Sequence, residues 1–148
     1  MGRAWKKSSY GKTALSAKFS VSGMDEFFQN IEKAGKNIDN SCKKAINAAL
    51  PIVEKSMREG AERHRHTGDV ANALEVFEAK QQGNLIYAEV GIDLDKHPEA
   101  FEAVFQEYGD GHSPDFPDPF VRPSVENNRR QINATIKKVL KKEGMPVD

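Results

Sequence analysis

Residues 38–63 read IDNSCKKAINAALPIVEKSMREGAER, and their spacing sets the architecture. Ile38, Cys42, Ala45, Ile46, Ala49, Leu50, Val53, Met57 and Ala61 recur three and four residues apart, the period of one helix face. The row keeps its phase across Pro51, which removes one ladder bond and is expected to bend the helix rather than end it. Ala45, Ala48 and Ala49, just ahead of the proline, leave room for another element to approach closely. This helix is the expected spine of the fold.

Toward the N-terminus, Leu15, Ala17, Phe19 and Val21 alternate with Ser16, Lys18, Ser20 and Ser22, the period-two pattern of a strand with one buried face. Gly23 ends it. Met24, Phe27, Phe28 and Ile31 then return at helical spacing, with Asp25 and Glu26 in the first turn and Gly35 as the C-cap. Residues 1–14 mix Lys, Ser and Gly with Trp5 and Tyr10 and are expected to form a flexible basic arm. Residues 15–148 are expected to form one domain.

Toward the C-terminus, the polar break His64-Arg65-His66-Thr67-Gly68-Asp69 precedes two strand-like runs, residues 74–80 and 85–92, joined by Gln81-Gln82-Gly83-Asn84. The Gly-Asn pair is a hairpin signal. His97-Pro98-Glu99 opens a short helix through Phe101, Val104, Phe105 and Tyr108, and Gly109 closes it. After an irregular loop, Pro117-Asp118-Pro119-Phe120-Val121-Arg122-Pro123 stiffens the backbone and fixes how Phe120 and Arg122 are presented. A last helix over residues 121–143 turns Val125, Ile132, Ile136, Val139 and Leu140 inward. The sum is an α+β fold: a small antiparallel β-sheet packed on one face by a long kinked helix, a short helix and a C-terminal helix.

With 38% hydrophobic residues, 30% charged and 8% aromatic, the 148-residue chain has a modest private core and apolar surface to spare for neighbours. Its net charge is zero, from 22 basic and 22 acidic residues, but the charges are segregated. Arg3, Lys6, Lys7, Lys12 and Lys18 precede the first acid, Asp25. From Asp69 to Asp118 twelve acids face Lys80 and Lys96, and from Arg122 to Lys142 seven basic residues face Glu126. Such segmentation suits self-association, since the basic end of one subunit can meet the acidic middle of another. A nucleic-acid-binding module using the basic arm and the last helix is the alternative, against which the neutral net charge argues. No run reaches the roughly 18 apolar residues of a membrane span, and residues 1–10 carry no apolar signal region. Cys42 is alone, on the apolar side of the long helix, which fits a small packing residue and folding in a reducing compartment.

Constellations with chemical potential are thin. His64, His66 and Asp69 offer three metal ligands without the fourth that a closed site requires. Asp93 and Asp95 read as an acidic turn, since the glycine and closing glutamate of a calcium loop are missing. Asp115 and Asp118 flank prolines with no base at a recognisable spacing. No phosphate loop or nucleophile elbow is present, so no catalytic residue, cofactor or metal is assigned and the chain is expected not to be an enzyme.

Six landmarks do follow one another in order: Val21 to Phe27; the long helix; Thr67-Gly68 ahead of Leu74; Tyr87-Ala88 through Gly91; Phe105-Gln106-Glu107-Tyr108-Gly109; and Pro119-Phe120-Val121-Arg122-Pro123-Ser124. Together they resemble the tail-component family of long-tailed bacteriophages named after the tenth gene product of a lambdoid coliphage, a family of neck or tail-completion proteins. The last two landmarks are the most specific. The chain departs from the family pattern at His64-Arg65-His66, where Ala-Pro is common, and in a longer, more acidic turn after Gly109.

The resemblance implies a structural virion protein, assembled in the host cytoplasm, that joins head to tail as a sixfold or twelvefold homo-oligomeric ring. Its neighbours would be a head-completion or connector protein and a tail-tube or tail-terminator protein, with DNA only as cargo in the channel and no membrane. Candidate subunit-interface residues are Thr67, Gly68, Tyr108, Phe120, Arg122, and Trp5 and Tyr10 of the arm. Phe120 would be an apolar anchor and Arg122 a carboxylate-pairing fork.

Overall fold

The computed structural model describes residues 14–20, 38–83 and 85–145. The expected arm with Trp5 and Tyr10, and the helix read at residues 24–34, lie outside the described residues. Three strands, β1 (Ala14–Ser20), β2 (Leu74–Gln82) and β3 (Leu85–Asp93), form an antiparallel sheet in the order β1-β3-β2. The long helix α1 (Ile38–Glu62) runs without interruption through Pro51, and one turn of helix, α2 (Asp69–Asn72), leads into β2. After β3 come a 3-10 turn (Pro98–Ala100), α3 (Glu102–Tyr108), α4 (Arg122–Glu126) and α5 (Arg129–Lys142). The class is α+β, with α1 laid between the sheet and α5.

The period of α1 explains that position. Cys42, Ala45, Ile46, Ala49, Leu50, Val53, Met57 and Ala61 are all buried, so one helix serves both layers of the core. Leu15, Ala17 and Phe19 of β1 and Ala88, Val90 and Ile92 of β3 close the core from the sheet side. Ile132, Ile136 and Leu140 of α5 close it from the other.

The β2–β3 pairing slips between Phe77 and Lys80, a bulge that takes a backbone group out of the ladder. The Ala79 N–H donates instead to Asn47 Oδ1 of α1 at 2.7 Å. A polar helix residue thus repairs the strand.

The C-terminal helix differs from the single element expected over residues 121–143. It divides into α4 and α5 at Asn127-Asn128. Asn128 has φ −110° and ψ 11°, outside the helical basin, and its side-chain amide donates to the Ser124 carbonyl at 2.9 Å while its own carbonyl accepts from Ile132 N–H at 2.8 Å. Asparagine competes well with the helix ladder for backbone partners, which is why this pair can turn the chain.

Candidate assembly face

Glu107 organises the region. It sits on α3 with Ala103 and Gln106 on the helix's buried side. Its carboxylate accepts three backbone N–H groups: Phe120 and Val121 at 2.8 Å each on Oε1, and Arg122 at 3.2 Å on Oε2. The Val121 and Arg122 donors are among those a helix start leaves without partners, so the negative charge caps α4 from outside its own chain segment. Next to it, Gln106 ties α3 to α1. Its side-chain amide donates to the Gly60 carbonyl at 2.8 Å, and its backbone carbonyl accepts from Asp118 N–H at 2.8 Å.

The prolines ahead of α4 are held from the α1 side. Arg63 makes a forked pair with Asp118, Nε to Oδ2 at 2.9 Å and Nη2 to Oδ1 at 3.0 Å, and Nη2 also donates to the Pro119 carbonyl at 3.3 Å. His64 Nε2 lies 2.7 Å from Asp118 Oδ2, and its ring meets Phe116 edge-on at 5.0 Å. The Arg63 hydrogen bond, with His64 adding to it, holds the Asp118 carboxyl below the usual carboxylate range. At Gly109, φ is 92° and an added Cβ would lie 3.2 Å from Pro117 Cδ, so the turn and the proline fit only around glycine.

Phe120 is 2% exposed and seated on Gly60, where an added Cβ would come within 2.4 Å of Phe120 Cβ. The ring therefore packs in the chain's own core, and the apolar anchor read from the sequence is an intramolecular one. Arg122 is exposed, its Nε 3.7 Å from Glu126 Oε1. Tyr108 is exposed as well, at 46%, with Phe101 at 51% and Phe105 at 39%. These three aromatics fall at positions i, i+4 and i+7, one outward row along α3, with Phe101 and Phe105 in edge contact at 5.5 Å.

Thr67 and Gly68 lie beside the same helix, bordering a shallow depression that Glu102 of α3 also lines. Thr67 Oγ1 donates to Asp69 Oδ2 at 2.7 Å and accepts from Asp69 N–H at 3.3 Å. Four of the residues singled out from sequence, Thr67, Gly68, Tyr108 and Arg122, thus gather around α3. The supports Arg63, Gln106, Glu107 and Asp118 carry no supporting role in the sequence reading, although Gln106 stands in a landmark and Asp118 among the prolines. Glu107 was quoted as part of a landmark, but its role depends on donors that fold back from thirteen to fifteen residues away.

The constellation of His64, His66 and Asp69 is not gathered. His64 turns to Asp118, Asp69 to Thr67, and His66 is exposed. Among the described residues no three His, Cys, Asp or Glu side chains are grouped to hold a metal ion, and no helix is long and apolar enough to cross a membrane. Asp93 accepts from the N–H groups of Asp95 and Lys96 at 3.0 and 3.3 Å, a turn of the kind its acidic spacing suggested.

A family model described as "Bacteriophage HK97-gp10, putative tail-component" matches residues 25–109 of the chain, more than half its length. No curated protein and no solved structure matches significantly. The match takes in the long helix, the sheet hairpin and the Glu107 landmark, and ends where the Pro117 to Pro123 segment has yet to begin.

Proposed function

The chain belongs to the HK97-gp10-like family of bacteriophage tail components, a structural and non-enzymatic family, and from that premise we propose that it is a neck or tail-completion protein forming a ring that joins head to tail. The observation that carries the ring is the outward aromatic row Phe101, Phe105 and Tyr108. A chain with few aromatics spends three of them on one solvent-facing helix row, and apolar rows of that kind are covered in an assembly. The ring, sixfold or twelvefold, sits in the virion between a head-completion or connector protein and a tail-tube or tail-terminator protein, with DNA passing through.

Its subunit contacts include the Thr67-Gly68 loop, Tyr108 and Arg122, with Phe120 supporting them from beneath and Trp5 and Tyr10 of the arm reaching a neighbour. Native mass spectrometry of the purified chain, alone and mixed with its head-completion and tail-tube partners, is expected to show a closed oligomer. A chain that stays monomeric in every mixture and is absent from purified virions would sink the reading.

A second reading, nucleic-acid binding, draws on the outer face of α5, where Arg129, Arg130, Lys137, Lys138, Lys141 and Lys142 are all exposed. It requires DNA retention at low salt that falls steeply as salt is added. A filter-binding titration separates the two, since the neck reading expects no such slope.

A further inference from the structure

We infer that the aromatic row of α3 is the socket for the outer face of α5 from a second copy of this chain, a head-to-tail contact that repeats around the ring; the inference rests on the ring reading above.

The two surfaces are unlike and complementary. The α3 row is rimmed by two exposed carboxylates, Glu102 and Glu99, the second of which also meets His97 Nδ1 at 3.1 Å. On α5, Ile132, Ile136 and Leu140 are buried against the chain's own core, which points Arg130, Lys137, Lys138, Lys141 and Lys142 away from it. Among the described residues, none of the six α5 cations forms an ion pair with a carboxylate. Arg130, Lys137 and Lys141 fall in one line along the helix, at i, i+7 and i+11. At 1.5 Å rise per residue that line is about 16 Å long, enough to cover the roughly 10 Å between Phe101 and Tyr108. Lys and Arg stems lie well over aromatic faces while their heads reach carboxylates at the rim.

Charge also decides the symmetry of the contact. Two α3 rows placed face to face would bring Glu99 and Glu102 of one copy against those of the other, and two α5 faces would oppose six cations to six. Like charges in opposition weaken both symmetric pairings. The α3-to-α5 pairing joins different patches, so a growing arc leaves one α3 row unused at one end and one α5 face at the other until the last subunit closes the circle.

The test uses two full-length variants. Phe105→Asp alters the α3 row at an exposed position, and Arg130→Glu/Lys137→Glu/Lys141→Glu reverses the α5 line. Each is expected to keep the wild-type circular dichroism spectrum and to associate at least about tenfold more weakly than wild type in sedimentation velocity. Mixed one to one, they retain a single intact contact between them and are expected to stop at the heterodimer. Rings from either variant alone, or no heterodimer on mixing, would overturn the inference.

A second measurement covers the case in which a variant fails to fold. Under mild oxidation, Glu102→Cys/Lys137→Cys is expected to give a ladder of linked subunits, and each single cysteine variant none beyond a dimer. Cys42, buried in the core, adds nothing to the ladder. A double variant without a ladder in rings that still form sinks this contact and leaves the ring standing. Wild-type protein that forms no ring, alone or with its neck partners, removes the ring and this inference together.

Discussion

Substituting Glu107 by glutamine keeps the side chain's shape and removes its charge, so two of the three backbone donors it serves keep a carbonyl oxygen while an amide N–H faces the third. Hydrogen bonds to a charged group contribute about 1.5–3 kcal/mol each when buried, and the replacement recovers part of that. Glu107→Gln is expected to lower unfolding free energy by about 1–3 kcal/mol in urea titration, and Glu107→Ala by more. At Gly60, alanine would gain about 1 kcal/mol of helix propensity, but its Cβ would overlap Phe120 at 2.4 Å. Overpacking of a filled core costs about 1–3 kcal/mol. Gly60→Ala is therefore expected to be net destabilising, by about 1 kcal/mol in the same titration. Asp118 adds a pH dependence. Its carboxyl is held low, mainly by Arg63, so the pair stabilises the fold above the ordinary carboxylate range near ~4 and loses that contribution as pH falls through the lowered value. The pair is partly solvated, which limits the effect to about 1 kcal/mol. Urea midpoints from pH 7 to pH 2 should fall less in Asp118→Asn than in wild type.

Among the elements, those whose signal is local were legible in the sequence. The α1 row kept its period over six turns and is buried from Cys42 to Ala61, and the hairpin followed from two strand-like runs joined at the Gly83-Asn84 pair. The α3 row was legible as a helical stripe but not for its direction. The core takes Ala100, Ala103, Gln106 and Glu107, thin or partnered side chains, and the aromatics are left outside. That choice depends on the Gly60 carbonyl and the α4 backbone, which no local pattern reveals. The break at Asn127-Asn128 was likewise hidden, because the apolar spacing continues across it. Asn47 belongs to the same class: its worth lies in the β2 bulge, and Asn47→Ala is expected to cost about 1–2 kcal/mol by leaving the Ala79 N–H without its partner. Where β3 gives way to α3, His97 lies between Glu75 and Glu99, at 3.0 and 3.1 Å. Its pKa is raised, first by Glu75. This contact stabilises the fold below pH ~6.5 and fades as pH rises through the raised value, a trend that His97→Gln should abolish in thermal melts between pH 6 and pH 9.

For the molecule as a whole, Cys42 reports on global opening. Burial, with Asp39 adding to it, pushes its thiol up to about 11, so near neutral pH the reactive thiolate is scarce in the folded chain. Labelling by a chromogenic disulfide is expected to be slow in buffer and to rise with urea along the unfolding curve followed by circular dichroism. Charge segregation, read directly from the sequence, is preserved in space: the acids Glu99 and Glu102 rim α3 and the cations line α5. What sequence could not supply was their relation to the aromatic row, since only folding brings α3 to the surface with its aromatics outward.

Glu107 and its three donors also bear on heredity. The family match ends at Gly109, yet the carboxylate just inside that boundary is satisfied by residues 120–122 beyond it. A fragment cut at the boundary would keep the acid and lose every group that answers it. Among related genes, the glutamate and the Pro-Phe-Val-Arg segment should therefore be gained and lost as a pair, and recombination between them would join halves that no longer close.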